Sequence, residues 1–483
     1  MSLTTRTGED SGIRRSAGNR LALRLTGLVF VIAIVVVVAL RSSASVSAPP
    51  PGGILTSPAG DPLAYRPGDD AALATRAAEG SAQVLFTKSP GGIVTTAARV
   101  ARYRPLIDAA VRGTDIPPPL LEGLVFLESA GRPDAVAGTS VLDAAGLTQI
   151  LPGTGQSLLG MHIDLAAGSR LLGALQSAQL AGAGARVTRL EARLAQADQR
   201  FAPAQALAAA VRYLRIAQRD LGRLDLAVAS YHAGIGNIQT VLADYDGGRP
   251  VSYEQLYFDT SPSDHAAAWS LLSSLGDDSS QYFWRVLEAE QIMQLYRTAP
   301  GTLRRLADLE TGYPSTALAL VPPSAFPPFA SPAAVSNAYQ SGLLKPLPRD
   351  PGRLHLVYAP SMGSLARHLG APVSLYRGLR PAALSALVDM AALVHGLAGG
   401  SLTVMSTVLD ERYERRQGFV DSPGATGFTF QILRHYSSGR QAEAFQFVLD
   451  RMQSLNLIGW IRGTNTIEVT VAPDSGQALR RGL

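Results

Sequence analysis

One carboxylate in this chain, Glu128, lies where its surroundings could make it an acid catalyst. Leu121 and Leu124 precede it by seven and four residues, so the three side chains fall on one face of a predicted helix. An acid on such an apolar face loses hydration, which raises its pKa and keeps a proton available near neutral pH. The alternative is a structural glutamate that caps a neighbouring backbone group, which is the commoner role of an isolated buried acid.

The helix that carries Glu128 has recognisable ends. Asp115 is a candidate N-cap, and prolines follow at 117–119, in the first turn, where a missing N–H does no harm. Gly131 and Pro133 then end the helix directly after the carboxylate. From 93 to 300 the periodicity stays helical, with Gly and Pro at the breaks, so a mainly α domain must position the acid.

Two further motifs follow Glu128-Ser129. Ser140 leads into the segment 144–154, AAGLTQILPGT, and much later comes the segment 229–236, ASYHAGIG. Together the three motifs resemble the soluble lytic transglycosylase domain, which is similar in fold to goose-type lysozyme. In that family the pattern is Glu-Ser, then Ser before Gly-Ala-x-Gly-Leu-x-Gln-x-x-Pro-x-Thr, then Ala-x-Tyr-Asn-Ala-Gly.

The resemblance implies a chemistry and a set of roles. Glu128 would protonate the glycosidic oxygen between MurNAc and GlcNAc and then, as a base, take the proton of the C6 hydroxyl, which closes a 1,6-anhydro ring. By position, Ser140 would hold the substrate N-acetyl group or the glutamate, and Gln149 would donate an amide hydrogen bond to the sugar. Tyr231 would place its hydroxyl beside Glu128. A plain structural hydrogen bond is the alternative for each of these three residues.

The chain also departs from the family pattern. Ordinary glycosidases pair two carboxylates, and the motifs hold no second acid at a matching position, which fits substrate-assisted cleavage. Asp143, where the family commonly has glycine, is interpreted as a turn residue. His232 replaces the usual asparagine, and Tyr282 either lines the groove or packs. A lysozyme-type hydrolase that uses Glu128 with water, and an inactive wall-binding scaffold, remain alternatives.

At 483 residues the chain is too long for one ordinary core. We expect a mainly α, lysozyme-like catalytic domain plus a C-terminal α+β domain, with an N-terminal transmembrane or signal helix. The predicted divisions are a cytoplasmic basic N-terminus at 1–24, an anchor or signal segment at 25–40, a linker at 41–92, a transglycosylase-like domain at 93–312 with a helical insertion near 171–201, a Pro-rich linker at 313–350, and a peptidase-like domain at 351–483.

The apolar run at 25–40 follows several arginines, which predicts a cytoplasmic N-terminus and a chain that otherwise lies outside, anchored or secreted, in a bacterial cell envelope. Small residues at 43–48 would also suit signal cleavage. The net charge of +5 gives no reason to expect nucleic-acid binding, and the absence of cysteine excludes disulfides. The expected partners are peptidoglycan glycan strands and the membrane.

The C-terminal region mixes predicted helices at 381–397 and 441–455 with strands at 402–406 and 467–471. It resembles zinc D,D-peptidases in two segments, Ser406 with Arg412 and Gln417, and 424–431. Gly424, Gln431 and Glu468 stand where that family has its metal ligands, and zinc needs about three protein ligands. We therefore predict no metal and no cofactor, and a module that could bind peptide stems or a cell-wall protein.

Overall fold

A computed structural model describes residues 63–313, 315–418 and 423–481, and the predicted membrane or signal segment at 25–40 lies outside them. The prediction of a mainly helical chain with a C-terminal α+β region is confirmed. The helices of the first region are α1 (Asp70–Lys88), α2 (Ile93–Ala101), α3 (Arg104–Ala110), α4 (Pro118–Ser129), α5 (Leu165–Leu180), α6 (Gly184–Ala197), α7 (Pro203–Leu221), α8 (Leu224–Ala233), α9 (Ile235–Asp246), α10 (Tyr253–Phe258), α11 (Ala266–Ser274), α12 (Asp277–Ser280), α13 (Tyr282–Thr298) and α14 (Pro300–Gly312).

Helix α13 is the centre of this region and packs against α1, α2, α4 and α8. Its crossing with α4 is close, because a Cβ added at Gly123 would lie 2.8 Å from the carbonyl oxygen of Val286. Trp284 of α13 is fully buried and packs against the rings of Tyr253 and Phe258 in α10. The crossing with α4 brings the first residue of α13, Tyr282, to the last turn of α4, which carries Glu128.

The ends of α4 follow from local sequence, with one correction. Prolines occupy its first turn, and the chain leaves it through Ala130 and Gly131, both with positive φ. Asp115 does not cap the helix, since Pro117 is the N-cap residue, and the Asp115 carboxylate instead accepts a hydrogen bond of 2.7 Å from Gln218 Nε2. The prediction of an Asp115 N-cap was therefore wrong.

Helices α5 and α6 form a hairpin where the sequence predicted a helical insertion near 171–201. The two helices pack on each other through their own small core, and Gly182, with a φ of 65°, lies in the turn between them. The core residues that they contribute are Leu172, Leu175, Ala178, Leu190 and Leu194.

The predicted linker at 41–92 contains an ordered core helix in its described part. Helix α1 buries Leu73, Leu85 and Phe86 and packs along α13. On its other side it crosses the C-terminal region so closely that a Cβ at Gly80 would lie 2.6 Å from the Ser454 carbonyl oxygen. The apolar residues of α1 recur at helical spacing, but the prolines and glycines that flank the helix are typical of a linker, and the sequence analysis therefore predicted a linker here.

The predicted Pro-rich linker at 313–350 also packs rather than spanning open space. Helix α15 (Thr316–Leu320) lies on the edge of the C-terminal sheet, and Phe329 is buried with its N–H bonded to the Ala425 carbonyl at 2.8 Å. Helix α16 (Pro332–Gln340) and strand β1 (Lys345–Pro346) follow. The limits of the domains stay predictions.

The elements of the C-terminal region are β2 (Leu356–Tyr358), β3 (Gly378–Leu379), α17 (Pro381–Ala398), β4 (Leu402–Ser406), α18 (Glu411–Gln417), β5 (Thr429–Leu433), α19 (Gly439–Ser454), β6 (Ile458–Arg462), β7 (Thr466–Val471) and α20 (Ser475–Arg481), with β3 paired to β1. The sheet has the strand order β2-β4-β5-β7-β6, with β2 parallel to β4 and the other neighbours antiparallel. Helices α17 and α19 pack on each other beside this sheet.

Arg451 of α19 joins the C-terminal region to the helical one. Its guanidinium is buried and donates to the carbonyl oxygens of Tyr257 and Thr260, at 2.6 and 2.9 Å. It also lies 4.7 Å from the ring centroid of Tyr257 and 5.0 Å from that of Phe258. One hydrophobic core cluster accordingly continues from the helical region into the C-terminal one.

Within the part of the chain that the structure describes, one helix is long and apolar enough to cross a membrane, α17 (Pro381–Ala398). Its apolar side chains, including Leu387, Met390 and Val394, are buried in the C-terminal core. A core helix of a soluble domain passes the same test of length and composition, so α17 carries no argument for a membrane span.

Candidate active site

Glu128 is the penultimate residue of helix α4, and its side chain is partly exposed and otherwise surrounded by protein. Burial raises the pKa of Glu128 to about 7. The Tyr282 hydroxyl donates a hydrogen bond to Glu128 Oε1, and this bond opposes the effect of burial because it stabilises the carboxylate. A carboxyl group with a pKa near 7 can both give and accept a proton at neutral pH.

The electrostatic surroundings of Glu128 are simple. Among the described residues no second carboxylate contributes to the pKa of Glu128, whose causes are burial and the Tyr282 hydrogen bond. A pair of acids that flank one bond would influence each other's ionisation. The site therefore offers one proton donor whose conjugate base faces no competing anion.

Four rings form an aromatic cluster beside Glu128: Tyr213, Tyr231, His232 and Tyr282. The Tyr231 ring meets the edge of Tyr213 at 5.0 Å between centroids and lies parallel to Tyr282 at 6.2 Å. Burial, and next the nearby charge of Glu128, raise the pKa of both Tyr231 and Tyr282 well above its ordinary value. Both phenols consequently stay protonated and act as hydrogen-bond donors.

The Tyr231 hydroxyl connects the third motif to the second. It donates to the Thr148 carbonyl oxygen at 2.8 Å, while the Thr148 hydroxyl donates to the Ala206 carbonyl oxygen of α7 at 3.2 Å. The sequence predicted this hydroxyl beside Glu128, but the hydroxyl bonded to Glu128 is that of Tyr282. Tyr231 instead holds the loop that carries Gln149.

Gln149 and Ser140 lie in the second motif and bond to their own loop. Gln149 has a φ of 49°, and its Nε2 donates to the carbonyl oxygens of Gly146 and Ala135 at 2.7 and 3.1 Å. The Ser140 hydroxyl accepts from the Leu142 N–H at 3.1 Å, and the Ser140 N–H donates to Asp143 Oδ2 at 3.3 Å. Asp143 thus acts as a turn residue, and the sugar contacts of Ser140 and Gln149 stay predictions.

A fully buried arginine, Arg200, holds the loop of the second motif through hydrogen bonds to its backbone. Arg200 pairs with the equally buried Asp198 at 2.7 Å and donates to the carbonyl oxygens of Val141, Asp143 and Ile150. The backbone of Gly146 approaches so closely that a Cβ there would lie 1.7 Å from the Arg200 carbonyl oxygen. The second motif is therefore held by one ion pair and by a close backbone contact at Gly146, which is possible only because glycine has no side chain.

Sequence reasoning brought together two residues that the structure also places together, Glu128 and Tyr231. It named Tyr282 as a residue that lines the groove or packs, but it did not predict that Tyr282 bonds to the acid. Tyr282 is 154 residues from Glu128, and no local spacing connects the two. The only available signal was its place at the predicted start of a helix beyond the third motif. The predicted roles of Glu128, Ser140, Gln149 and Tyr231 remain predictions.

The C-terminal positions that would hold zinc in the resembled peptidases lie near one another in part. Gln431 pairs with Glu468 across β5 and β7, and Gln431 Nε2 donates to Glu468 Oε2 at 3.0 Å. Gly424 lies in the turn Pro423–Thr426. Over the ranges 63–313, 315–418 and 423–481, no group of three or more His, Cys, Asp or Glu side chains could hold a metal ion.

Comparison with known proteins identifies one part of this chain. The family model of the transglycosylase SLT domain matches residues 174–249. No curated protein and no solved structure matches the chain significantly. The matched range starts inside the predicted insertion, includes the aromatic residues Tyr213 and Tyr231, and begins after Glu128 and Gln149.

The family match, rather than the fold alone, indicates the class of protein to which this helical region is similar. The resemblance to the soluble lytic transglycosylase domain that the sequence motifs indicated is confirmed over residues 174–249. This supports a transglycosylase-type enzyme that acts on peptidoglycan, and hence outside the cytoplasm. The resemblance to zinc peptidases stays a prediction.

The pKa of Glu128 predicts a pH-dependent effect on stability. In the unfolded chain Glu128 ionises near its ordinary value of 4.5, whereas in the folded protein it ionises at about 7. The folded protein is therefore destabilised as pH rises from the lower to the higher value, and fully so above it. Glu128→Gln, which cannot ionise, should stabilise the protein by about 2 to 3 kcal/mol at roughly pH 8 and hardly at all near pH 4.5.

Thermal unfolding of both proteins at the two pH values measures this difference. An equal gain at both pH values would show that the substitution acts through packing and that Glu128 has an ordinary pKa.

Proposed function

We propose that this chain is a peptidoglycan lytic transglycosylase that cleaves the MurNAc-GlcNAc bond with formation of 1,6-anhydro-MurNAc. The observation that supports it best is Glu128, a single carboxyl with a pKa of about 7, held by Tyr282 beside the aromatic cluster. The transglycosylase SLT match over 174–249, a range that includes the third motif, supports the proposal.

The reaction needs only one proton carrier. Protonated Glu128 gives its proton to the bridging oxygen, the bond from that oxygen to C1 of MurNAc breaks, and the N-acetyl oxygen supports C1. The C6 hydroxyl oxygen then bonds to C1, and its proton returns to the Glu128 carboxylate. The Tyr282 hydroxyl, which donates to Glu128 Oε1, would hold the carboxyl in one orientation through both steps.

The product distinguishes this reaction from hydrolysis by the same glutamate. Purified sacculi digested in heavy-oxygen water should release muropeptides that are one water lighter than hydrolysis products and carry no label. The reason is that the C6 hydroxyl, and not water, attacks C1. Reducing-end MurNAc with incorporated label, found by mass spectrometry as the main product, would make the chain a lysozyme-type hydrolase. Binding without release of muropeptides would make it a wall-binding scaffold.

The sequence adds a place of action to the proposal. The apolar run at 25–40 with arginines before it would anchor the chain in the membrane, or direct its secretion if cleaved. The C-terminal region would then lie beside the wall, where it could contact peptide stems or a cell-wall protein.

A further inference from the structure

His232 occupies the position where the resembled family commonly has asparagine, and the structure gives it two contacts in the site. Its ring lies on Tyr282, with 5.5 Å between centroids and 25° between planes. Its Nδ1 is 2.8 Å from the Ser279 hydroxyl, which belongs to α12 directly before α13. Ser279 is 8% exposed, so this hydrogen bond ties the imidazole to a buried anchor.

Tyr282 is the residue that this arrangement restrains. Tyr231 and His232, which are adjacent in the chain, both stack against its ring. The hydroxyl at the far end of the ring donates to Glu128 Oε1. A tilt of the ring would move that hydroxyl by more than the ring itself, because it lies at the end of the side chain. The hydrogen bond on the acid therefore depends on what holds the ring.

We propose that His232 is a positioning residue that, anchored by Ser279, holds the Tyr282 ring so that its hydroxyl stays on Glu128. This rests on the proposed function in one respect, that Glu128 is the acid, and it deepens that proposal by assigning the residue that keeps the acid's partner in place. His232 acts through Tyr282 and transfers no proton.

The charges around the two groups agree with a purely orienting role. Burial lowers the pKa of His232, and Arg285 lowers it further while Asp278 opposes them, so the imidazole is neutral at pH 7. Asp278 and Arg285 form a salt bridge with each other. Toward Glu128, the titratable groups that face it are Tyr282 and Tyr231. A neutral ring on Tyr282 orients the phenol without adding charge to the acid.

The test is the titration of Glu128 in four proteins: the full chain, His232→Ala, Tyr282→Phe and the double variant. Tyr282→Phe removes the hydrogen bond that stabilises the carboxylate, so the pKa of Glu128 should rise, by roughly one unit. His232→Ala should raise it in the same direction by a smaller amount. In the Tyr282→Phe background, His232→Ala should have no further effect.

Two readouts keep the outcome decidable. Carbon NMR of labelled glutamate carboxyls, assigned with Glu128→Gln, follows the titration without any activity. The high-pH limb of the profile of kcat/KM on sacculi follows the same group in the reaction and should move with it. If no protein releases muropeptides, the proposed function fails, while the NMR titration still decides the role of His232.

Matched variants separate positioning from general disturbance. His265 forms another histidine-tyrosine ring contact in this region, 4.3 Å from Tyr245 and tilted by 41°, and His265→Ala should leave the titration of Glu128 unchanged. Ser279→Ala should shift it in the same direction as His232→Ala, and His232→Phe, which keeps a ring on Tyr282 but cannot bond Ser279, should shift it by about as much as Ser279→Ala. An unshifted titration in His232→Ala, or an equal shift in the Tyr282→Phe background, would overturn the proposal.

Discussion

Glu128→Gln should abolish release of muropeptides from sacculi while leaving the fold and sacculus binding intact. The amide keeps the shape of the side chain and can still accept a hydrogen bond from Tyr282, but it has no proton to give to a glycosidic oxygen. Loss of a general acid lowers rates by about a hundredfold to ten-thousandfold, and here the same group also serves as the base, so the loss should reach the upper end. Chromatography of released muropeptides against time measures it.

Glu191 of α6 supplies the matched control, since it is an exposed glutamate in the same region. Glu191→Gln changes the net charge by the same amount and should cleave at the native rate. Release by Glu128→Gln at a rate within a few-fold of the native one would remove Glu128 from the reaction, and the structural reading of this glutamate would then stand.

Arg200→Ala should strongly destabilise the helical region and weaken cleavage. The guanidinium is fully buried, neutralises the equally buried Asp198, and donates to three carbonyl oxygens of the second motif. Removing it leaves the Asp198 carboxylate buried without a counter-charge, which typically costs about 3 to 5 kcal/mol. The midpoint of thermal unfolding should fall accordingly, and the loop that carries Gln149 should lose its support.

The double variant Arg200→Ala with Asp198→Ala tests this cause. Because it removes both charges, it should be less destabilised than Arg200→Ala alone, which is the opposite of additive losses. Arg193→Ala, an exposed arginine of α6, is the control and should unfold like the native chain. A double variant less stable than either single one would show that packing, and not the uncompensated charge, accounts for the loss.

Local patterns in the sequence predicted what local physics decides. The helix α17 was expected at 381–397 and is observed at Pro381–Ala398, and the strand at 402–406 is observed as Leu402–Ser406. Both have continuous propensity and clear breakers at their ends. The short strand β2 escaped prediction, because it is stabilised by pairing with β4, which is distant in sequence, rather than by its own residues.

The site was predictable only where a motif spans it. Glu128 and Tyr231 lie in recognisable segments, whereas Tyr282 meets Glu128 because α13 crosses α4 at Gly123, and only the packed helices reveal that crossing. Asp115 shows the converse: its residue type and position suited an N-cap, but its carboxylate instead accepts a hydrogen bond from Gln218, which is distant in the sequence. Long-range contacts decided both outcomes, and one sequence does not display them.

The fixed packing of the C-terminal region against the helical one has a consequence for how the proposed enzyme would bind and cut a glycan strand. Domains joined by a loose linker sample many separations, but here Arg451 is buried between two carbonyl oxygens and two aromatic rings, and α1 packs on both regions. A ligand on the C-terminal region would therefore stand at one distance and one angle from Glu128. The distance between the two regions would then set the distance between a bound ligand and the cleavage point, so the spacing of cuts along a glycan strand would reflect the geometry of the enzyme.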